Sequence, residues 1–224
     1  MNTNILYKKS DNILYKKSYL KRMSELGKLN PEVFDAFVAF DQLALAPVFS
    51  NKLKELMAVA VAHVTGCPYC IEVHVTNIKK RQASKEEMTE AIMVAAALNA
   101  WSVIAHSVNA LNAFDGGSPE ELYKASYFNR IKELSDLNNE SFKAFIVFDQ
   151  QAMKPGLLTT KEKELIAVAV AHTTGCPYSI DFHTKEAKKA GAILEEIAEA
   201  IFVSTALKAV SAIYHSVNAL NAYE

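Results

Sequence analysis

Two cysteines and a histidine lie close together in the segment GCPYCIEVH, residues 66–74. Cys67 and Cys70 are three residues apart and His74 follows four residues later, so in a helix the three side chains share one face. This spacing allows a disulfide across one helical turn. It also allows His74 to take a proton from Cys70 or to stabilise its thiolate. The segment therefore indicates thiol redox chemistry.

Either cysteine can be argued to be the nucleophile. Pro68 is expected to begin a helix, which places Cys67 at the positive end of the helix dipole and lowers its thiol pKa. The neighbouring imidazole of His74 instead favours Cys70. We favour Cys70, because a general base must lie within hydrogen-bond reach of the proton that it takes.

An acidic residue precedes this segment on an apolar helix that we expect to end at Gly66. Glu55 lies twelve residues before Cys67. If this helix packs antiparallel to the next one, the Glu55 carboxylate can orient His74 or hold a proton-relaying water. The alternative is that Glu55 only complements a helix N-terminus.

Structural roles are expected for the remaining histidines and for two asparagines. His63 and His172 lie among alanines and valines and are predicted to be core residues. Caps or cross-links of the terminal helices are predicted for His106, His215, Asn109 and Asn218. Zinc is an alternative for the cysteine pair, but Glu55 would have to be the fourth ligand and no second CxxC is present. We therefore predict no metal and no cofactor.

The cysteine segment recurs as GCPYSIDFH, residues 175–183, within an internal repeat. From Glu55 to His74 and from Glu164 to His183, 15 of 20 aligned residues are identical. AFVAFDQ at 36–42 likewise matches AFIVFDQ at 144–150, and LYKKSY at 14–19 matches LYKASY at 122–127. The second copy keeps Glu164, Cys176 and His183 but has Ser179 in place of the second cysteine. A hydroxyl cannot enter a disulfide, so this degenerate second site is predicted to be redox-inactive.

Helices are predicted throughout, since glycines are few and no alternating pattern indicates strands. Expected helix starts are Asn30-Pro31, Ser50, the capping box of Ser84 and Glu87, Ser118-Pro119 and Thr159-Thr160. We predict an all-α fold of two tandem helical repeats, packed as a pseudo-dimer about a pseudo-twofold axis. The predicted domains are a mobile tail at 1–11, a repeat with an intact CxxC at 12–114, a linker at 115–119 and a repeat with CxxS at 120–224.

The composition and charge of the chain indicate where it is expected to act and what it is expected to bind. Lys and Arg (24) nearly balance Asp and Glu (25), giving a net charge of −1, so no overall field attracts nucleic acid. The longest mostly apolar run, residues 91–105, is shorter than the roughly 20 residues that cross a bilayer. We predict a cytoplasmic protein that binds neither nucleic acid nor membrane.

The combination of Glu55, Cys67, Cys70 and His74 resembles the signature of the AhpD-like alkylhydroperoxidases, within the carboxymuconolactone decarboxylase superfamily. The resemblance covers both repeats. It implies thiol-dependent reduction of a hydroperoxide or a disulfide, with Cys70 attacking, Cys67 resolving, and His74 and Glu55 relaying protons. It also implies an external dithiol reductant, of which a lipoyl-type carrier is one example, or a peroxiredoxin client, and a homotrimer.

Two other functions remain open at this point. One is a carboxymuconolactone decarboxylase-like lyase, although members with that activity do not use a CxxC pair. The other is a non-catalytic redox-sensing module, in which the disulfide changes a partner interface. For the second repeat, packing and oligomerisation are the expected roles, and binding of a substrate without redox turnover is the alternative.

Overall fold

The computed structural model describes residue 13 and residues 15–44, 50–116, 120 and 122–223. The predicted tail at 1–11 and the predicted helix start at Ser118-Pro119 lie outside the described residues. Within them the chain is helical and has no strands, which confirms the all-α prediction. The helices of the first repeat are α1 (Met23–Leu29), α2 (Pro31–Ala44), α3 (Asn51–Thr65), α4 (Pro68–Lys80) and α5 (Lys85–Phe114). Those of the second are α6 (Ile131–Leu137), α7 (Asn139–Met153), α8 (Thr160–Thr174), α9 (Pro177–Lys189) and α10 (Leu194–Tyr223).

The predicted capping residues set the ends of the central helices. The Ser50 hydroxyl accepts a hydrogen bond from the backbone N–H of Leu53 at 3.2 Å, and α3 ends at Gly66 with a left-handed φ of 68°. Thr159 forms a capping box with Glu162 at the start of α8, which ends at Gly175 with a φ of 73°. Ser84 and Glu87 form the predicted capping box of α5. Local side-chain chemistry therefore determines where these helices begin and end.

The core lies around α3 and α8, whose middle residues are completely buried. These two helices contact each other, and each also packs against the long terminal helix of the other repeat: α10 packs on α3, and α5 packs on α8. Each repeat thus covers the apolar helix of its neighbour, as predicted for a pseudo-dimer.

Both long helices, α5 and α10, have the length and apolar composition of a membrane span. Helix α5 is longer than the apolar run recognised in the sequence, because polar residues extend it at both ends. In each helix about half of the most apolar window is buried inside the protein. They are the core helices of a bundle, and their apolar character is explained by that packing.

Two ion pairs cross between the repeats at equivalent positions. Lys54 of α3 pairs with Glu199 of α10, and both side chains are at most 5% exposed. Its symmetry mate joins Lys163 of α8 to Glu90 of α5 at 3.0 Å. The Lys163 ammonium group also donates to two backbone carbonyl oxygens at the end of α7. These pairs fix how the two repeats dock.

Replacing Lys54 by Met should lower the free energy of unfolding by about 3–5 kcal/mol, because the buried Glu199 loses the cation that offsets its desolvation. The double variant Lys54→Met, Glu199→Leu should recover most of this loss, since it removes both charges. Urea unfolding followed by helical circular dichroism measures both effects. A single variant as stable as the double one would contradict this role of the pair.

Candidate functional site

The first site lies where α3 ends and α4 begins. Gly66 turns the chain, Cys67 caps α4, and Pro68 is the first residue of that helix. The Cys67 sulfur accepts a hydrogen bond from the backbone N–H of Cys70 at 3.4 Å. Both cysteines are free thiols and fully buried. The short CxxC spacing thus places the two sulfurs together at a helix N-terminus, shielded from solvent.

The pKa values of the two thiols are shifted in opposite directions. The pKa of Cys67 is lowered to about 6, because it accepts hydrogen bonds from the thiol and the backbone N–H of Cys70, against the opposing effect of burial. The pKa of Cys70 is raised, because its proton is held by Cys67 and the thiol is buried. In the reduced pair a thiolate is therefore favoured on Cys67 over Cys70. This agrees with the helix-dipole argument, whereas the assignment of Cys70 as attacking thiol stays a prediction.

Glu55 reaches His74 as the antiparallel packing of α3 and α4 requires. A Glu55 carboxylate oxygen lies 2.8 Å from Nδ1 of His74. The other oxygen accepts a hydrogen bond from the Asn77 side-chain amide at 3.2 Å. Because Nδ1 is engaged, Nε2 is the ring nitrogen that can exchange a proton with another group. The structure thus brings Glu55 of α3 to His74 of α4, which lies one turn beyond Cys70 on the same helix.

Asp41 of α2 is a site residue that the sequence analysis did not select. Its Oδ1 atom is buried and has no hydrogen-bond partner among the described residues. Its pKa is raised by burial and lowered by the charge of His74, and its own charge raises the pKa of Cys70. The available signal was the FDQ triplet that recurs in both copies, at 40–42 and 148–150.

The second repeat completes the first site. Helix α10 brings Ser211 and His215 near Cys67, and both lower its pKa. The Nε2 atom of His215 is buried without a partner among the described residues. Asn218 on the same helix accepts a hydrogen bond from the Tyr69 hydroxyl at 3.1 Å, which is the kind of cross-link predicted for it. The first site is therefore formed by both repeats.

The degenerate second site keeps the acid–base pair of the first. A Glu164 oxygen lies 2.8 Å from Nδ1 of His183, and both residues are buried. Cys176 caps α9 and is fully buried, but it accepts no capping hydrogen bond. The Ser179 hydroxyl, at the position of Cys70, is buried and has no partner among the described residues. Asp149 is the counterpart of Asp41, and its pKa is likewise raised by burial.

The predicted core positions of two other histidines are wrong. His63 is exposed and His172 is half-buried. Each ring has Nδ1 at 2.8 Å from the backbone carbonyl oxygen one turn earlier, on Val59 and on Val168. They lie near the last turn of α3 and α8, on the outward side of each helix, while the preceding residues Ala62 and Ala171 are buried. His106 contacts Tyr123 through its ring.

Comparison with known proteins relates both repeats to one family. The family model for "Carboxymuconolactone decarboxylase family" matches residues 31–113 and 139–222. An uncharacterised protein encoded in the cox locus of Paracoccus denitrificans is 39% identical over 94 residues, which cover 42% of this chain and 85% of that protein. A matched stretch of this length corresponds to about one repeat.

A solved structure shares the fold over nearly the whole chain. It is described as a gamma-carboxymuconolactone decarboxylase subunit from Burkholderia xenovorans. It superposes with a TM-score of 0.64 over 94% of this chain and 98% of its own, at 18% sequence identity. The likeness at this identity concerns the fold. Because the family model covers most of both repeats, the chain belongs to the carboxymuconolactone decarboxylase family.

Proposed function

We propose that the protein is a thiol-dependent hydroperoxide or disulfide reductase whose active site is the first site. The observation that carries this proposal is the buried Cys67–Cys70 pair, in which one sulfur accepts hydrogen bonds from the other cysteine. A thiolate held beside a second thiol is the arrangement that a two-electron dithiol reaction needs. The Glu55–His74 pair, which joins α3 to the helix that carries Cys70, can supply and remove the protons.

The proposed reaction begins with the Cys70 sulfur. After His74 has taken its proton, the Cys70 thiolate attacks the terminal oxygen of a hydroperoxide. The O–O bond breaks, Cys70 becomes a sulfenic acid, and the alkoxide leaving group takes a proton from His74 to leave as an alcohol. The Cys67 thiolate then attacks the Cys70 sulfur, the S–O bond breaks, and the released hydroxide takes a proton from solvent to leave as water, which completes the disulfide. An external dithiol reduces that disulfide and becomes oxidised itself.

The proposed partners follow from this cycle. A dithiol must reach a fully buried disulfide, so a long flexible carrier such as a lipoyl group suits the reductant. A peroxiredoxin disulfide is the corresponding client if the protein acts as a disulfide reductase. We further propose a homotrimer in the cytoplasm. A redox-sensing module would use the same disulfide without turnover, and the assay below separates it from an enzyme.

The second site favours a different candidate function. It keeps a buried Glu164–His183 pair, lacks the second sulfur, and lies beside a cavity. An acid–base pair without a redox partner fits a lyase such as a lactone decarboxylase, as the family name suggests. However, two aspartates and no Lys or Arg are among the described residues that line this cavity, and they would repel a carboxylate substrate. We therefore rank this candidate second.

The proposal is tested by measuring whether the wild-type protein consumes an alkyl hydroperoxide when a dihydrolipoyl compound is the reductant. We expect many turnovers per chain and the formation of one disulfide, Cys67 to Cys70, when the reductant is withheld. Peptide mapping under non-reducing conditions identifies that bond. The sensing module would instead be indicated if the protein is oxidised once and does not turn over. That result would have to hold with every dithiol as reductant, and also with a peroxiredoxin disulfide as substrate.

A further inference from the structure

A cavity of about 270 Å³ lies beside His183 in the second repeat. Four aromatic side chains and two carboxylates line it: Trp101, Phe128, Tyr178, Phe182, Asp149 and Asp181. The volume is near the lower end of the range for small-molecule sites, which is roughly 300–1,000 Å³. The composition is that of a small pocket with apolar walls and negative charge.

The aromatic wall is held in place by ring contacts. Trp101 packs edge-on against Phe128, with ring centroids 6.0 Å apart, and Phe128 lies 5.4 Å from Tyr178. Phe145 stacks on the indole of Trp101 at 5.4 Å with an interplanar angle of 11°. Rings fixed by several neighbours keep their positions without a ligand. The cavity is thus preformed.

Two carboxylates, of Asp149 and Asp181, and the imidazole of His183 line the cavity. Among the described residues that line it there is no Lys or Arg. Asp181 pairs with Lys185 at 2.7 Å, but both side chains are 66% exposed, so this pair contributes little and can be exchanged for another cation. Burial raises the pKa of Asp149, with the Glu164 charge acting in the same direction. A cation in the cavity would favour the ionised form of both carboxyl groups.

The first site differs from the second in the residues that form this cavity. At the position of Ala125 the first repeat has Lys17, whose ammonium group lies 2.6 Å from Glu72, the counterpart of Asp181. The first site therefore has an ammonium group of its own at its acidic residue. In the second repeat that group is replaced by the methyl group of an alanine.

Three of the four aromatic rings are specific to the second site. The counterparts of Trp101, Phe128 and Phe182 are Val210, Leu20 and Val73. Loss of the Lys17 ammonium group, which forms an exposed ion pair in the first repeat, thus coincides with a gain of three aromatic side chains. Both changes favour the same ligand, because aromatic faces and carboxylates attract organic cations.

We propose that the second site binds a small organic ammonium ion, held between the aromatic wall and the carboxylates of Asp149 and Asp181. The ligand's cationic group lies near Ala125, which lines the cavity and is the counterpart of Lys17. This function is separate from the thiol chemistry of the first site and does not depend on it.

Choline is a suitable probe, and Trp101 is a built-in reporter, since it is the only tryptophan of the chain. Titration with choline should change the tryptophan fluorescence saturably. The neutral carbon isostere, in which a tert-butyl group replaces the trimethylammonium group, should bind at least about ten-fold more weakly, because it lacks the charge that the rings and carboxylates attract. Equal binding of both compounds would overturn the proposal.

Variants locate the binding. Ala125→Lys should weaken choline binding about ten-fold or more, because Ala125 lines the cavity and a lysine there would compete with choline for the Asp181 carboxylate. Asp149→Asn should weaken it similarly. The matched control Lys17→Ala, at the equivalent position of the first repeat, should leave the titration unchanged. Circular dichroism verifies that each variant folds, and calorimetric titration of Phe182→Ala gives a second measure of binding.

Other outcomes decide against the proposal. If choline causes no saturable change and acrylamide cannot quench Trp101, another copy of the chain covers the cavity. If choline binds but none of the second-site variants weakens it, the binding occurs elsewhere. Preference for pivalate over choline would assign the cavity to an anion.

Discussion

Cys70→Ser should abolish hydroperoxide consumption, whereas Cys67→Ser should permit one oxidation per chain and then stop. In the proposed cycle Cys70 forms the bond to oxygen, so without its sulfur no sulfenic acid arises. Without Cys67 the sulfenic acid forms but cannot be resolved into a disulfide. Each substitution replaces one sulfur atom by oxygen and changes the side-chain volume little, so the fold should tolerate both.

Trapping with a sulfenate-specific reagent distinguishes the two variants. Cys67→Ser should be labelled at residue 70 after one equivalent of peroxide, and Cys70→Ser should remain unlabelled. Cys176→Ser is the matched control, because Cys176 has Ser179 in place of a partner sulfur. It should show wild-type turnover, and combining it with each of the other variants removes the third thiol from the analysis.

The reverse labelling pattern would assign the attack to Cys67. The structure gives this outcome a physical basis, since the pKa of Cys67 is lowered and that of Cys70 is raised by the hydrogen bond between them. A lower pKa provides more thiolate but also a weaker nucleophile. The proton on Cys70 must be removed before that sulfur can attack, which makes the assignment depend on His74. Labelling of both variants to the same extent would contradict any division of roles.

The helices could be predicted from the sequence because their ends are determined locally. Ser50, Ser84 and Thr159 accept hydrogen bonds from backbone N–H groups three residues further on, and such patterns are visible without any tertiary information. The pairing of Glu55 with His74 could also be predicted from the sequence, since the internal repeat and the turn at Gly66 suggested two helices packed side by side.

Contacts between distant parts of the chain could not be predicted in this way. Ser211 and His215 reach Cys67 from the other repeat, more than 140 positions further along the chain. The position of Asp41 near His74 depends on how α2 packs, which no capping residue encodes. The exposure of His63 depends on which side of α3 faces solvent, and its apolar neighbours in the sequence gave the opposite indication.

The cavity of the second site could not be predicted from the sequence either, although its residues could be read there. Trp101 belongs to the first repeat and Tyr178 to the second, so only the docking of α5 against α9 brings them to one place. The sequence did show that the second repeat had lost a sulfur. It could not show that the same repeat had exchanged Lys17 for Ala125 beside an acidic residue, because that proximity arises in the folded chain.

His74→Ala should slow the oxidation step by about 10²- to 10⁴-fold, the usual contribution of a positioned general base. Without the imidazole, the buried Cys70 thiol has lost the base that takes its proton. Glu55→Gln should slow the same step within that range, because a neutral amide still meets Nδ1 but no longer stabilises the imidazolium. Rapid-mixing measurements of peroxide consumption in single turnovers follow this step directly.

The second repeat provides matched controls for both substitutions. His183→Ala and Glu164→Gln remove a pair with the same 2.8 Å contact, at a site that has no second sulfur. They should leave the single-turnover rate unchanged while perturbing the fold to a similar degree. Equal slowing by first-site and second-site variants would therefore indicate a structural role for the Glu–His pairs rather than a proton relay.

A double variant tests whether Glu55 acts through His74. If its only contribution is to orient and charge the imidazole, Glu55→Gln should have no further effect once His74 has been replaced by Ala. Multiplication of the two single effects would instead show that Glu55 handles protons independently, for example through a water. The pH dependence adds a further readout: His74→Ala should remain slow at low pH and gain rate as pH rises, because hydroxide increasingly replaces the lost base.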